Sequence, residues 1–304
     1  VFPVPERLYV LPCDHRSILR SLWEQHRTPG YPDADAFAAA AKRVVVDGLL
    51  QAVDLGLPAR WAAVLMDDEL GSEALDLAHR SGIARVLPVD VGEVGPFTLQ
   101  HPGALADHVR RVHPEIAACL IGYNPESPDA GEQLERTREL ANWQPQSGTT
   151  FLLELQVLPR PQDLGDDGGR AWEAERRPAL IAQAIRDLRR TGFDPQVWKL
   201  QDAGTDEDYR TVLDAVTEDG RGDVKVVILG AGAEPDVVDQ WLRRAATYPE
   251  CIGFAVGRSV WAHSVEGFAE GSLDAGAAAR GIAERYLRFA TTFSGARDAA
   301  VAGG

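Results

Sequence analysis

Leu180-Ile181-Ala182-Gln183-Ala184-Ile185-Arg186-Asp187-Leu188, followed shortly by Gln196-Val197-Trp198-Lys199-Leu200, sets the pattern of the whole chain. In the first stretch Leu180, Ile181, Ala184, Ile185 and Leu188 recur at helical spacing, so all five share one face. The second stretch is a short apolar run suited to a buried strand. A helix with one apolar face feeding a buried strand is one half of a βαβ unit, and the same alternation extends in both directions.

Reading outward, strands are expected at 7–13, 61–66, 85–89, 116–121, 150–157, 196–200, 224–229 and 251–256. Helices are expected at 34–55, 131–142, 170–191, 234–247 and 275–293. Eight strands interleaved with helices, with no linker or composition break, predict a single (β/α)8 TIM barrel over residues 1–294. Residues 295–304 read as a disordered tail. An open doubly wound sheet is the other fold with this alternation, but no GxGxxG follows the first strand.

The chain has 304 residues, 45% hydrophobic and 25% charged, with a formal net charge of −15. A nucleic-acid binder needs a basic stripe, so that class is set aside. Membrane spanning is set aside as well, since no apolar run reaches about 18 residues. Cys13, Cys119 and Cys251 lie in or beside apolar runs. That usage, with no signal-peptide pattern, leads us to expect buried thiols in a cytoplasmic protein.

Of 31 basic residues only Lys42, Lys199 and Lys225 are lysines. Arginine serves wherever a general positive charge is wanted, and a guanidinium cannot act as an amine nucleophile. Lys199, inside an apolar strand, is therefore a candidate Schiff-base nucleophile. The plainer reading is a buried ion pair with Glu154, one strand earlier.

Barrel chemistry gathers where strands end. Asp14 and His15 follow the first strand; Asp67, Asp68 and Glu69 follow the second; Asp90 follows the third, and Tyr123 and Asn124 the fourth. Glu154 and Gln156 lie in the fifth strand, and Gln201 lies just past Lys199. Gly230 and Gly232 turn the chain after the seventh strand, as Gly257 and Arg258 do after the eighth. Such turns suit an anion through backbone N–H groups, and Arg258 adds a charge-assisted contact.

We expect Lys199, Glu154 and Asp14 as catalytic residues. Arg258, Gly257, Gly230, Gly232, His15, Glu69 and Gln201 are the expected substrate contacts. As sequence neighbours, Asp14 and His15 are expected to point apart. Asp67-Asp68-Glu69 is a weak metal motif, and neither HxH nor HExxH occurs; no metal and no cofactor are expected. The acidic loop Gln162–Gly169 is read as a mobile surface loop with a possible lid role.

Three stretches carry a resemblance. They are Leu11-Pro12-Cys13-Asp14-His15-Arg16, Pro195-Gln196-Val197-Trp198-Lys199-Leu200, and Gly253-Phe254-Ala255-Val256-Gly257-Arg258-Ser259-Val260-Trp261. They resemble a class I (Schiff-base) aldolase group. It includes tagatose-1,6-bisphosphate aldolase and the aldolase-like domain fused to 5-dehydro-2-deoxygluconokinase of inositol catabolism. The resemblance implies a barrel with its Schiff-base lysine at Lys199, an acidic partner at Glu154, a polar residue at Asp14 and phosphate contact near Arg258.

The chain departs from that pattern at three places. Ala118 stands where the family usually has a lysine, Ala231 replaces a larger polar residue, and Gln201 replaces an acid. The expected activity is a lyase acting on a keto sugar or sugar-phosphate-like substrate. The alternatives are a barrel that binds a sugar or sugar acid without cleaving it, or an isomerase using Glu154 and Asp67. The expected partner is a small carbohydrate, and a homo-oligomer is also expected.

Overall fold

The computed structural model describes residues 1–92, 96–166 and 169–303. Its strands are β1 (Leu8–Pro12), β2 (Ala62–Leu65), β3 (Ala84–Pro88), β4 (Ile116–Gly122), β5 (Thr150–Gln156), β6 (Val197–Leu200), β7 (Lys225–Leu229) and β8 (Cys251–Ala255). They follow one another in a closed barrel, β1 through β8 in order. This is the expected (β/α)8 fold, with strand ends within about one residue of expectation. The chain packs as two compact units, Pro5–Pro88 with Ile228–Gly304, and Val1–Val4 with Val89–Val227.

The first of these units holds β8, β1, β2 and β3 as parallel neighbours. Around them lie α1 (Arg16–His26), α2 (Ala34–Asp54), α3 (Asp68–Arg80), α10 (Pro235–Ala245), α11 (Arg258–Glu270) and α12 (Ala275–Gly303). Its core is aromatic. Tyr9 stacks on Phe254 at 4.8 Å, and the buried Tyr286 hydroxyl donates to the Tyr9 carbonyl at 2.6 Å. Burying each such ring contributes about 1.5–3 kcal/mol.

Strand β8 meets β1 with Gly253 opposite Leu8. A Cβ at Gly253 would lie 2.1 Å from the Leu8 carbonyl oxygen, so only glycine allows this approach. Gly253→Ala is expected to cost about 1–3 kcal/mol in guanidinium unfolding, because backbone rather than a flexible side chain must yield. A loss under about 0.5 kcal/mol would show that the two strands part freely.

The expected disordered tail is instead ordered. Helix α12 runs on to Gly303, and of the tail only Gly304 lies outside the described residues. Alanines favour the helix, Arg297 donates to the Tyr248 carbonyl at 2.6 Å, and Asp298 pairs with Arg7.

The second unit holds β4, β5 and β6, paired in parallel. With them are α4 (Leu105–Val112), α5 (Ala130–Arg136), α6 (Arg138–Trp143), α7 (Arg170–Glu175), α8 (Arg177–Arg190) and α9 (Asp206–Thr217). Two helices expected to be continuous are broken. Pro178, lacking an N–H and crowding the preceding turn, separates α7 from α8 at Arg176. Thr137 separates α5 from α6, its hydroxyl donating back to the Leu134 carbonyl at 2.7 Å. The face built from Leu180, Ile181, Ala184, Ile185 and Leu188 is buried along α8, as expected.

In the loop after β5, read above as mobile, Asp163 is held by two arginines; Asp167 and Gly168 lie outside the described residues. Arg160 grips Asp163 with two contacts of 2.8 Å, and Arg176 adds a third at 3.1 Å. The Arg160 hydrogen bonds hold the Asp163 carboxyl down at about 2. Both arginines also pair with Glu126, from the loop after β4.

All three cysteines are buried and none is in a disulfide. Burial pushes the Cys13 thiol up to about 12 and the Cys119 thiol well above its ordinary value, leaving little thiolate near neutral pH. No helix among the described residues is long and apolar enough to cross a membrane.

Candidate active site

Register decides the geometry around Lys199. Leu120 of β4 pairs with Glu154 of β5, and Glu154 pairs with Lys199 of β6. In-register partners on parallel strands point the same way, so these three side chains share a face and a level. Lys199 is buried, with 7% of its surface exposed. Its Nζ donates to Glu154 Oε2. Glu154 Oε1 accepts from Gln156 Nε2 at 2.8 Å. Alternation explains the contact between residues 154 and 156, since they stand two places apart on one strand.

Ala118 pairs with Leu152, and Leu152 with Val197, one repeat deeper than Lys199. On this face of β4 stand Ala118, Leu120 and Gly122, none of them charged. Behind them, Asp90 accepts from the backbone N–H groups of Gly92 and Leu120 at 3.0 and 3.2 Å. Beyond Lys199, the side-chain carbonyl of Gln201 accepts from Arg177 at 3.4 Å. The buried Arg177 also donates to the Asp202 backbone carbonyl at 2.9 Å, while the Asp202 carboxylate accepts from Tyr209. A carboxylate thus follows the lysine by three places, and a tyrosine hydroxyl engages it.

Tyr123 and Asn124 have structural partners. Tyr123 donates to Asp187, and burial together with that carboxylate pushes its phenol well above the ordinary value. Asn124 donates to the Leu158 carbonyl at 2.7 Å.

In the other unit, Asp14 and His15 meet rather than diverge: His15 Nδ1 lies 3.3 Å from Asp14 Oδ1. His15 is the N-cap of α1 with ψ at 77°, so strand alternation has already ended there. Its ring packs edge-on against Trp261 at 5.8 Å. The backbone before Asp14 is gripped twice. Trp261 Nε1 donates to the Pro12 carbonyl at 2.8 Å, and Lys42 Nζ donates to the Cys13 carbonyl at 2.6 Å.

Lys42 also pairs with Asp67 at 2.5 Å, and both side chains are essentially sealed from solvent. Asp67 caps α3 through the Leu70 N–H at 2.9 Å. Glu69 is exposed and pairs with Arg16 at 2.5 Å and Arg20 at 3.7 Å. Asp67 and Glu69 therefore serve different partners, and Asp67 has no open face for isomerase chemistry.

Arg258 opens α11 and lies along Gly232, where a Cβ would stand 3.0 Å from its Nη2. The turn before it closes through the Ala233 N–H on the Gly230 carbonyl at 2.9 Å. Gly257 has no room for a side chain, since a Cβ would meet the Pro12 carbonyl oxygen at 2.5 Å. The structure thus brings together Lys199 with Glu154, Asp14 with His15, and Arg258 with Gly232, each within one unit.

A family profile described as an uncharacterized protein conserved in bacteria, DUF2090, matches residues 3–297. The chain belongs to the DUF2090 family. No curated protein matches it. Among solved structures, a fructose-bisphosphate aldolase from Plasmodium falciparum, in complex with TRAP and a small-molecule inhibitor, is similar at 14% identity. That match covers 94% of this chain and 90% of the other, with a TM-score of 0.66. Cgl0159 from Corynebacterium glutamicum is similar at 14% identity, 95% and 88% coverage and a TM-score of 0.58. At these identities the likeness shows only the fold of this DUF2090 chain, a (β/α)8 barrel.

Two residues of the DUF2090 chain that surround these groups are not among the expected site residues. Lys42 carries a usable signal, being one of three lysines. Arg177 carries none, because a helix start 24 positions before Gln201 gives no hint of where its guanidinium will reach.

Proposed function

We propose that the chain is a class I lyase that forms a Schiff base between Lys199 and a keto sugar or sugar-phosphate-like substrate. The observation that carries this reading is the part-buried Lys199–Glu154 pair on adjacent strands. An ammonium sharing a hydrogen bond with a carboxylate has a proton acceptor already in place. Once Glu154 takes that proton, the neutral amine attacks the ketone carbon. The carbinolamine then loses its hydroxyl as water, and the resulting iminium draws in the electron pair of the breaking carbon–carbon bond. Asp14 accepts the proton of the substrate hydroxyl. Arg258 and the glycine turns at Gly230, Gly232 and Gly257 hold an anionic group. The resemblance to the tagatose-bisphosphate aldolase group supports these roles.

Borohydride reduction in the presence of dihydroxyacetone, dihydroxyacetone phosphate or pyruvate tests the reading. Peptide mass analysis should find the reduced adduct on Lys199. A chain stabilised by a ketose but never labelled and never turning over would favour the non-cleaving barrel, which the uncharged β4 face otherwise recommends.

A further inference from the structure

The two oxygens of Glu154 are divided between two different donors. Oε2 faces the Lys199 ammonium, and Oε1 faces the side-chain amide of Gln156. The amide must present nitrogen here, because its oxygen would set two acceptors against each other. Residues 154 and 156 are both part-exposed, whereas Leu153 and Leu155 on the opposite face are buried.

The chemical type of residue 156 matters. A lysine or arginine would hold Glu154 ionised, and a carboxylate would push its proton affinity up. A neutral amide does neither. It donates to Oε1 whether Oε2 is bare or protonated, so the carboxyl keeps one orientation through a full proton cycle.

We propose that Gln156 is a positioning residue that confines proton exchange between Glu154 and Lys199 to Oε2. The proposal rests on the lysine-iminium reading above. In the forward step the Nζ–H bond breaks and an Oε2–H bond forms, leaving the nitrogen lone pair free to attack. As the carbonyl π pair moves to oxygen, Oε2 gives its proton to that oxygen and takes a second proton from nitrogen. In dehydration the Oε2–H bond breaks and its proton joins the carbinolamine hydroxyl. That oxygen leaves as water, and the nitrogen pair becomes the iminium π bond.

Two variants test this, Gln156→Met and Gln156→Glu, each checked for an unchanged melting transition. The first readout needs no turnover: carbon-13 NMR titration of the Glu154 carboxyl in the ligand-free protein. Gln156→Glu should move that titration up by about one pH unit or more, as facing carboxylates do. The second readout is the rate of borohydride labelling of Lys199 with dihydroxyacetone across pH. Gln156→Met should slow it about 10-fold, a modest part of what proton transfer contributes, with the half-saturating ketone concentration within about 2-fold. Gln156→Glu should shift the acid limb upward. Wild-type labelling at Lys199 with an unmoved Glu154 titration, or with Gln156→Met labelling at the wild-type rate, overturns the proposal alone. No labelling of wild-type Lys199 by any ketone overturns the iminium reading and this inference with it.

Discussion

Lys199→Ala is expected to abolish reductive labelling and to lower turnover by about 10⁴-fold or more, the scale on which losing a covalent nucleophile is felt. Alanine alone leaves an ambiguity, because it also strips Glu154 of its buried cation. Lys199→Arg removes that ambiguity. Arginine preserves the positive charge beside Glu154 but cannot deprotonate to an amine. If Lys199 served only as a counter-ion, Lys199→Arg would retain activity within a few fold. The iminium reading requires Lys199→Arg to remain folded and to be as inactive as Lys199→Ala. Activity surviving in the folded arginine variant sinks the reading.

Lys42→Met is expected to produce the largest loss of stability, about 3–5 kcal/mol, since it leaves the Asp67 carboxylate buried without its cation. Neither side chain of this pair reaches solvent: 0% of Lys42 and 1% of Asp67 is exposed. Replacing both, as Lys42→Met with Asp67→Leu, should recover most of the loss by removing the orphaned charge. About 1 kcal/mol should stay lost, because Asp67 also caps α3. Urea titrations of the two variants and the wild type measure these differences. A single Lys42→Met variant within about 1 kcal/mol of wild type would mean that water reaches Asp67.

Much of this molecule is legible in its amino-acid sequence, for definite physical reasons. Strand runs such as 226–229 or 252–255 are buried on both faces, so their apolar continuity marks them well. The pairing of Lys199 with Glu154 follows once β5 and β6 are neighbours, because each is the only charged residue in its strand. Contacts between distant segments are another matter. Lys42 sits in a long helix where a lysine ordinarily faces water, and its partner is 25 residues away. The meeting of Asp14 and His15 depends on where β1 gives way to a helix cap, and a shift of one residue there reverses the expectation. The broken helices at Pro178 and Thr137 have local causes, but an unbroken apolar face masks them. The tail reads as disordered because Arg297 and Asp298, which hold its helix, reach partners that sequence distance conceals.

The division into two packing units also bears on how the chain is made. One unit draws on Pro5–Pro88 and Ile228–Gly304, segments separated by the whole of the other unit apart from its first four residues. On the ribosome, β1, β2, β3 and α2 emerge first, while α12, which packs along α2, does not yet exist. At about 5–20 residues per second, the wait for that missing helix is on the order of ten seconds. During it the side of α2 at Gly48, against which Ile282 and Ala279 of α12 pack, lacks its native cover. The early segment is therefore the part of a nascent chain most exposed to aggregation and most in need of a chaperone. The nearly continuous Val89–Val227 unit can settle as it is synthesised.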